Sequence, residues 1–255
     1  MKWIKFLLPA VLLFLLAGCF DIDEEIDVNK NGSGQWQMKI DMSQLVDMMQ
    51  TYMSKEDLEK QFPQKKMDTI IFMKDLVDTS KSITPDKKAL MRDGKVHLLV
   101  NMDDKVLKTD MQFPFKNLND LQQLRLAVGN NSSGTGQLLK GFSGKGDSDD
   151  TSQGPDLSMF SSLYSFKITD GTISSKVNKQ KWEEIQKNPQ FAQIKEAGNT
   201  GIEVPYSLTI KLPRPVKKID NPIAKLSDDK KTVVIKYNMM ETYSSPEKFE
   251  YNIEY

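Results

Sequence analysis

Two period-two runs lie near the start of the chain. Phe20, Ile22, Ile26 and Val28 alternate with Asp21, Asp23, Glu25 and Asp27, and Glu24 breaks the apolar side. Trp36, Met38, Ile40 and Met42 then alternate with Gln35, Gln37, Lys39 and Asp41. Between the runs stands Asn29-Lys30-Asn31-Gly32-Ser33-Gly34, whose residues tolerate positive φ, so the pattern predicts a β-hairpin. The period then lengthens. Leu45, Met48, Met49 and Met53 fall at helical spacing with Ser43 as the expected N-cap. Ser54 precedes a second helix start, and Met67, Ile70, Ile71, Lys74 and Val77 predict a third amphipathic helix. Thr84-Pro85-Asp86 opens a short helix running to Arg92, with proline at the first helical position.

Asp93-Gly94 returns the chain to alternation. Val96, Leu98, Val100 and Met102 make one strand, and Leu107, Thr109, Met111, Phe113 and Phe115 another. Residues 117–128 read as a helix carrying Leu118, Leu121, Leu124 and Val128. The segment 129–156 holds 7 of the 14 glycines and few large apolar groups. It buries too little surface to offset its chain entropy and is expected to be a flexible loop. A hairpin over 160–177, helices over 179–187 and 189–197, and strands around 206–212, 233–237 and 249–255 complete the chain. Runs of strands and runs of helices, instead of strict alternation, predict an α+β fold: a mainly antiparallel, curved sheet packed against amphipathic helices.

The first eighteen residues read as an address. Lys2 and Lys5 precede a 12-residue apolar run from Phe6 to Ala17. As a helix it would span about 18 Å, well short of a hydrocarbon core of about 30 Å, so a signal peptide is the expected reading. Leu16-Ala17-Gly18-Cys19 resembles the bacterial lipobox: an aliphatic residue, two small ones, then cysteine. The thiol accepts a diacylglyceryl group, and the small side chains admit the signal peptidase to the Gly18–Cys19 bond. Three acyl chains on Cys19 would anchor the product firmly, where one chain holds a protein only marginally. The domain expected is 19–255, and its first strand starts at the anchor, so it should sit close to the membrane. In enterobacteria Asp after the lipidated cysteine resembles an inner-membrane retention signal; Phe20 stands there, which favours the outer membrane. The acidic run 21–27 resembles a surface-export signal of Bacteroidetes-type bacteria and equally suits a solvated strand face, which leaves the leaflet open.

Charge and composition narrow the chemistry. Lys and Arg total 35, as do Asp and Glu, so no broad basic surface for nucleic acid is expected. A single cysteine, assigned to lipid, excludes a disulfide framework, and a single histidine leaves no zinc site of the usual kind. His97 falls on the polar side of its strand and reads as a surface residue. Asp27-x-Asn29-x-Asn31-Gly32 begins like an EF-hand loop, but the position that requires Glu is Met38, so a hairpin turn explains it better. Gly141-Phe142-Ser143-Gly144-Lys145-Gly146 fits neither a phosphate loop nor a nucleophile elbow, and two Ser-x-x-Lys matches, at Ser227 and Ser245, fall in turns. The 14 methionines sit where core groups would, as adaptable fillers and not as copper ligands. No cofactor and no catalytic residue is expected. Carboxylates are abundant without one pair standing out.

Both ends of the chain resemble the LppM-like group of bacterial lipoproteins. The shared features are the lipobox, the acidic strand, the turn Asn31-Gly32-Ser33-Gly34 ahead of Asp41 and Leu45, and closing hairpins at Leu208-Thr209-Ile210-Lys211-Leu212-Pro213 and Asp228-Asp229-Lys230-Lys231-Thr232-Val233-Val234. Arg214 follows Pro213 where that group has glycine. The resemblance implies an envelope domain whose curved sheet grips helices around a lipid-sized cavity, and carries over no catalytic residue. The expectation is a membrane-anchored, non-catalytic binding module for an apolar ligand or an envelope protein partner. The alternatives are an envelope hydrolase using an Asp/Glu pair and a structural subunit of an envelope complex.

Overall fold

The computed structural model describes residues 21–61, 65–80, 83–129, 163–188, 191–192, 195–196 and 203–255. Gly18 and Cys19, nearly all of the segment 129–156 and most of the helix expected over 189–197 lie outside these residues.

The Asn29–Ser33 turn sets the first register. The Asn29 N–H donates to the Ser33 carbonyl at 2.7 Å and the Gly32 N–H to the Asn29 carbonyl at 3.0 Å, with Gly32 at φ +80°. That left-handed conformation carries no steric cost for glycine. The turn folds β1 (Asp21–Val28) antiparallel onto β2 (Gly34–Asp41), with Ile22 opposite Ile40 and Ile26 opposite Trp36. It also accounts for the EF-hand-like spacing.

Chain order continues α1 (Ser43–Tyr52), α2 (Lys55–Gln61), β3 (Lys66–Phe72), α3 (Met73–Thr79), α4 (Pro85–Met91), β4 (Lys95–Asn101), β5 (Val106–Phe115) and α5 (Leu118–Gly129). After the segment outside the described residues come β6 (Tyr164–Thr169), β7 (Thr172–Val177), α6 (Lys179–Gln186), β8 (Pro205–Lys211), β9 (Lys218–Ile219), β10 (Lys225–Leu226), β11 (Thr232–Asn238), two 3-10 turns and β12 (Tyr251–Glu254). The α+β expectation holds, with two sheets where one was foreseen. The larger has the order β10-β11-β8-β1-β2-β5-β4-β3, the smaller β6-β7-β12-β9. All pairings are antiparallel except β1 with β8, where Ile22 faces Tyr206 and Ile26 faces Ile210.

Two local expectations are corrected. Residues 66–72 form a strand, not the start of a helix: Thr69-Ile70-Ile71 is stiff at χ1 and suits the pleat, and the chain pairs with β4 from Lys66 opposite Asn101 to Phe72 opposite Lys95. The helical spacing of Met67, Ile70, Ile71, Lys74 and Val77 comes from a strand followed directly by a helix. Ser43 does not cap α1. Its hydroxyl accepts the Leu107 N–H at 3.3 Å, and the cap position is Met42.

One core cluster draws on both sheets and three helices, including Ile26, Trp36, Met73, Met91, Phe113, Leu121, Leu124, Ile173, Ile210, Val233 and Ile253. A smaller cluster of Val46, Leu98, Val100, Met102 and Leu107 lies under α1 and α2. Met73, Met91, Met102 and Met111 are buried among aliphatic and aromatic groups, as fillers should be.

Gly34 has no room for a side chain: a Cβ there would meet the Asp27 carbonyl oxygen at 1.9 Å and Phe115 Cζ at 2.4 Å. Gly34→Ala is expected to lower the urea unfolding midpoint by an amount worth about 2 kcal/mol. Gly32→Asn, beside which only Leu118 Cγ comes within 3.8 Å, should cost less than about 1 kcal/mol. Equal losses would contradict the packing described.

Candidate functional site

A charge sits in the middle of the larger sheet. Glu24 occupies the inward side of β1 between Ile22 and Ile26, with Met38 of β2 and Leu208 of β8 beside it, and its side chain is 1% exposed. Its partner comes from α5. Arg125 lies one turn after Leu121 and one turn before Val128, on the face of α5 that enters the core. Arg125 Nε lies 2.7 Å from Glu24 Oε1, and Nη2 donates to Oε2 at 3.0 Å, a two-pronged contact. Trp36 Nε1–H donates to Oε1 at 2.8 Å, and the Tyr206 hydroxyl donates to Oε2. Four donors therefore occupy the roughly four lone-pair positions a carboxylate offers.

The smaller sheet closes the site. The Arg125 guanidinium lies 4.1 Å from the centroid of the Phe166 ring on β6. Tyr206 continues into an aromatic row, 4.9 Å to Tyr237 and then 4.4 Å to Phe249. Burial alone would lower the Arg125 pKa, but the charge and hydrogen bond of Glu24 together with the Tyr251 and Tyr206 phenols outweigh it and hold the guanidinium above its usual value. Burial, reinforced by Glu24, pushes the Tyr206 hydroxyl well above its usual value. Burial likewise raises Tyr237, and takes Tyr251 to about 12. The arrangement ties two sheets and a helix together, and its polar capacity is spent on itself.

The outer face of the larger sheet is wet. Asp21, Asp23, Glu25 and Asp27 line it on β1, so the acidic run is a solvated strand face. Glu25 pairs with Lys211 at 2.7 Å and Asp41 with Lys108 at 2.8 Å. Asp21 and Asp41 are cross-strand partners pushed in opposite directions. Burial, then the charges of Asp41 and Asp23, raise the Asp21 carboxyl. Burial would raise Asp41 too, but Lys108 and Ser43 outweigh it and hold it low. Such divergence suits an acid–base pair, yet these carboxyls lie at the open end of the sheet and line neither of the cavities described next. His97 lies on the same outer face, with Nε2 2.6 Å from Asp68 Oδ1.

Two depressions lie among the described residues. One, of about 350 Å³, is an open polar cleft between the Asp170–Gly171 turn, Arg214, Lys217 and Glu254. Arg214 bonds Asp170 and lies 5.1 Å from the centroid of the Tyr255 ring. The other, of about 260 Å³, is a groove floored by Met53, Leu58 and Met102 and edged by Lys55 and Lys65. Neither is an enclosed apolar chamber of the kind the family resemblance implies.

Gly18 and Cys19 precede the described residues, and β1 begins two positions after Cys19. The Glu24–Arg125 pair is the feature that sequence reasoning did not assemble. Each member carried a signal: an acid on the apolar side of a strand, and a base on the apolar stripe of a helix.

No protein-family model matches the chain, and no curated protein matches it. Among solved structures, the folded domain of LppM from Mycobacterium tuberculosis is similar with a TM-score of 0.35 at 7% identity, over 93% of this chain and 90% of that one. No residue is carried across at that identity.

Arg125→Met is expected to destabilise the fold by about 3 kcal/mol, because it leaves a buried carboxylate without its cation. Adding Glu24→Leu should restore most of the loss, since two apolar groups then replace the pair. Chemical denaturation of the single and double variants reads both values, and simple additivity would refute the coupling. The buried phenols carry a pH dependence of defined sign. Their folded-state values lie above the unfolded value of 10.0, so their contribution is complete below pH 10 and falls as the pH climbs towards the folded values. Unfolding midpoints should therefore drop between pH 9 and pH 11, in step with delayed phenolate absorbance relative to the denatured chain.

Proposed function

We propose that the chain is a lipid-anchored domain of the bacterial cell envelope, held through Cys19, that binds an envelope protein and does not catalyse a reaction. The observation that carries this reading is the position of the lipobox: Leu16-Ala17-Gly18-Cys19 stands two residues ahead of β1, a strand hydrogen-bonded on both flanks. Two residues span at most about 7 Å, so an acylated Cys19 would hold that end of the sheet against the bilayer. No helix among the described residues is long and apolar enough to cross a membrane. Phe20 after the cysteine favours the outer membrane.

The disposition of polar groups supports binding over catalysis. Glu24, Arg125 and Tyr206 saturate one another, and His97 and Asp68 meet on an exposed sheet surface. A protein partner is favoured over a small apolar ligand by the sheet edge at β3. Among the described residues this seven-residue strand pairs with β4 alone, and its outward Ile70 and Phe72 are 53% and 51% exposed. The opposite edge, β10, is only two residues long. A long open edge with apolar side chains can accept an added strand from another chain.

The test uses cells supplied with labelled palmitate and carrying a photo-crosslinking side chain in place of Ile70. The expected result is a labelled mature protein that gives one discrete adduct, whereas the Cys19→Ala version persists as an unlabelled precursor. Label on Cys19→Ala would overturn the anchor. Adducts no different from those of a crosslinker in place of Lys236, on the wet face, would overturn the role of β3.

A further inference from the structure

Resting on the anchor proposed above, we infer that the α1–α2 end of the domain docks onto the leaflet that holds the acyl chains, with Tyr52 in the headgroup layer. The first argument is where the chain enters the sheet. Asp21 lies opposite Asp41, Met42 follows and donates its N–H to the Leu107 carbonyl at 2.8 Å, and α1 begins at Ser43. Helix α1 thus starts at the same end of the sheet as the anchor. Its far end stays at that end too: Asp41 lies opposite Lys108, which puts the β4–β5 turn there, and Gln50 near the end of α1 bonds Met102 in that turn.

The second argument is what that far end presents. Tyr52 is 83% exposed, the highest value among the described large apolar side chains. Beside it runs the groove floored by Met53, Leu58 and Met102, with Lys55, Lys65 and Asp103 at its edge. A phenol ring with a polar tip suits the boundary between headgroups and acyl chains, and lysine ammonium groups suit lipid phosphates. Of the acids nearby, Asp41 pairs with Lys108 at 2.8 Å, Asp103 with Lys66 at 3.3 Å and Asp47 with Lys105, while Asp57 accepts the Ser54 hydroxyl at 2.6 Å and Glu56 stands in the first turn of α2.

The third argument is rigidity. Gln50 Nε2 donates to the Met102 carbonyl at 2.6 Å, the Lys105–Asp47 pair ties α1 to the same β4–β5 turn, and Ser54 Oγ accepts the Asp57 N–H at 3.2 Å. The surface is therefore held in one shape. One aromatic ring and a few lysines would not retain a free protein on a bilayer. They suffice for a tethered one, because the anchor makes the second contact intramolecular.

The test uses the lipidated protein reconstituted in vesicles of phosphatidylethanolamine and phosphatidylglycerol. Cys19 is the sole cysteine and would be blocked by its thioether, so Tyr52→Cys and Lys30→Cys each offer one site for an environment-sensitive fluorophore. Lys30 lies in the turn beyond the far end of β1, roughly 25 Å away along the strand. The expected result is a blue-shifted emission at position 52 that loses most of its intensity with brominated lipid, and neither change at position 30. Equal water exposure at both positions in protein that floats with the vesicles would overturn the docking and leave the anchor standing. Protein that fails to float would overturn the anchor and the docking with it.

Discussion

Glu24 fixes the position of the central strand. A one-residue slip of β1 would turn Glu24 outward and drive Asp21, Asp23, Glu25 and Asp27 into the core, so sheet amphipathicity already forbids odd shifts. A two-residue slip keeps apolar groups inside and would be far less costly on that ground alone. The carboxylate removes this freedom, because Trp36, Arg125 and Tyr206 meet it from three different elements at one register only. A buried ion pair adds little net stability compared with apolar groups of the same volume. Here its contribution is uniqueness: it selects one alignment of β1 with β2 and β8, and one seating of α5 and the smaller sheet upon them.

The rest of the larger sheet follows the same division. Its inner face is packed with branched aliphatics, methionine and stacked aromatics, Trp36 lying 5.7 Å from Phe113. Its outer face carries cross-strand charge pairs that keep it soluble at small energetic return. The charged residues of β1 consequently fall into two groups: Glu24 is buried and saturated, while acids of the outer face such as Glu25 pair across strands.

Much of this architecture was legible in the sequence, and the misses have physical causes. Alternation located β1, β2, β4, β5, β8 and β11 because each has one wet face. It misread β3, where a strand runs into α3 without a break and the combined spacing imitates a single helix. The split into two sheets was not legible, because the β1–β8 pairing joins residues such as Ile22 and Tyr206 that are remote in sequence, and no local pattern records such a partner. Glu24 and Arg125 were each visible as violations of their own element's pattern. That the two violations cancel each other became visible only in three dimensions.

The parallel pairing of β1 and β8 also decides how the domain bears load. Hydrogen bonds in a sheet lie across the strands, so tension applied at residue 21 along β1 strains its bonds to β2 and β8 in shear, many at once, instead of opening them one after another. A chain pulled from that end resists as a lap joint does, because the bonds to both neighbouring strands must give way together.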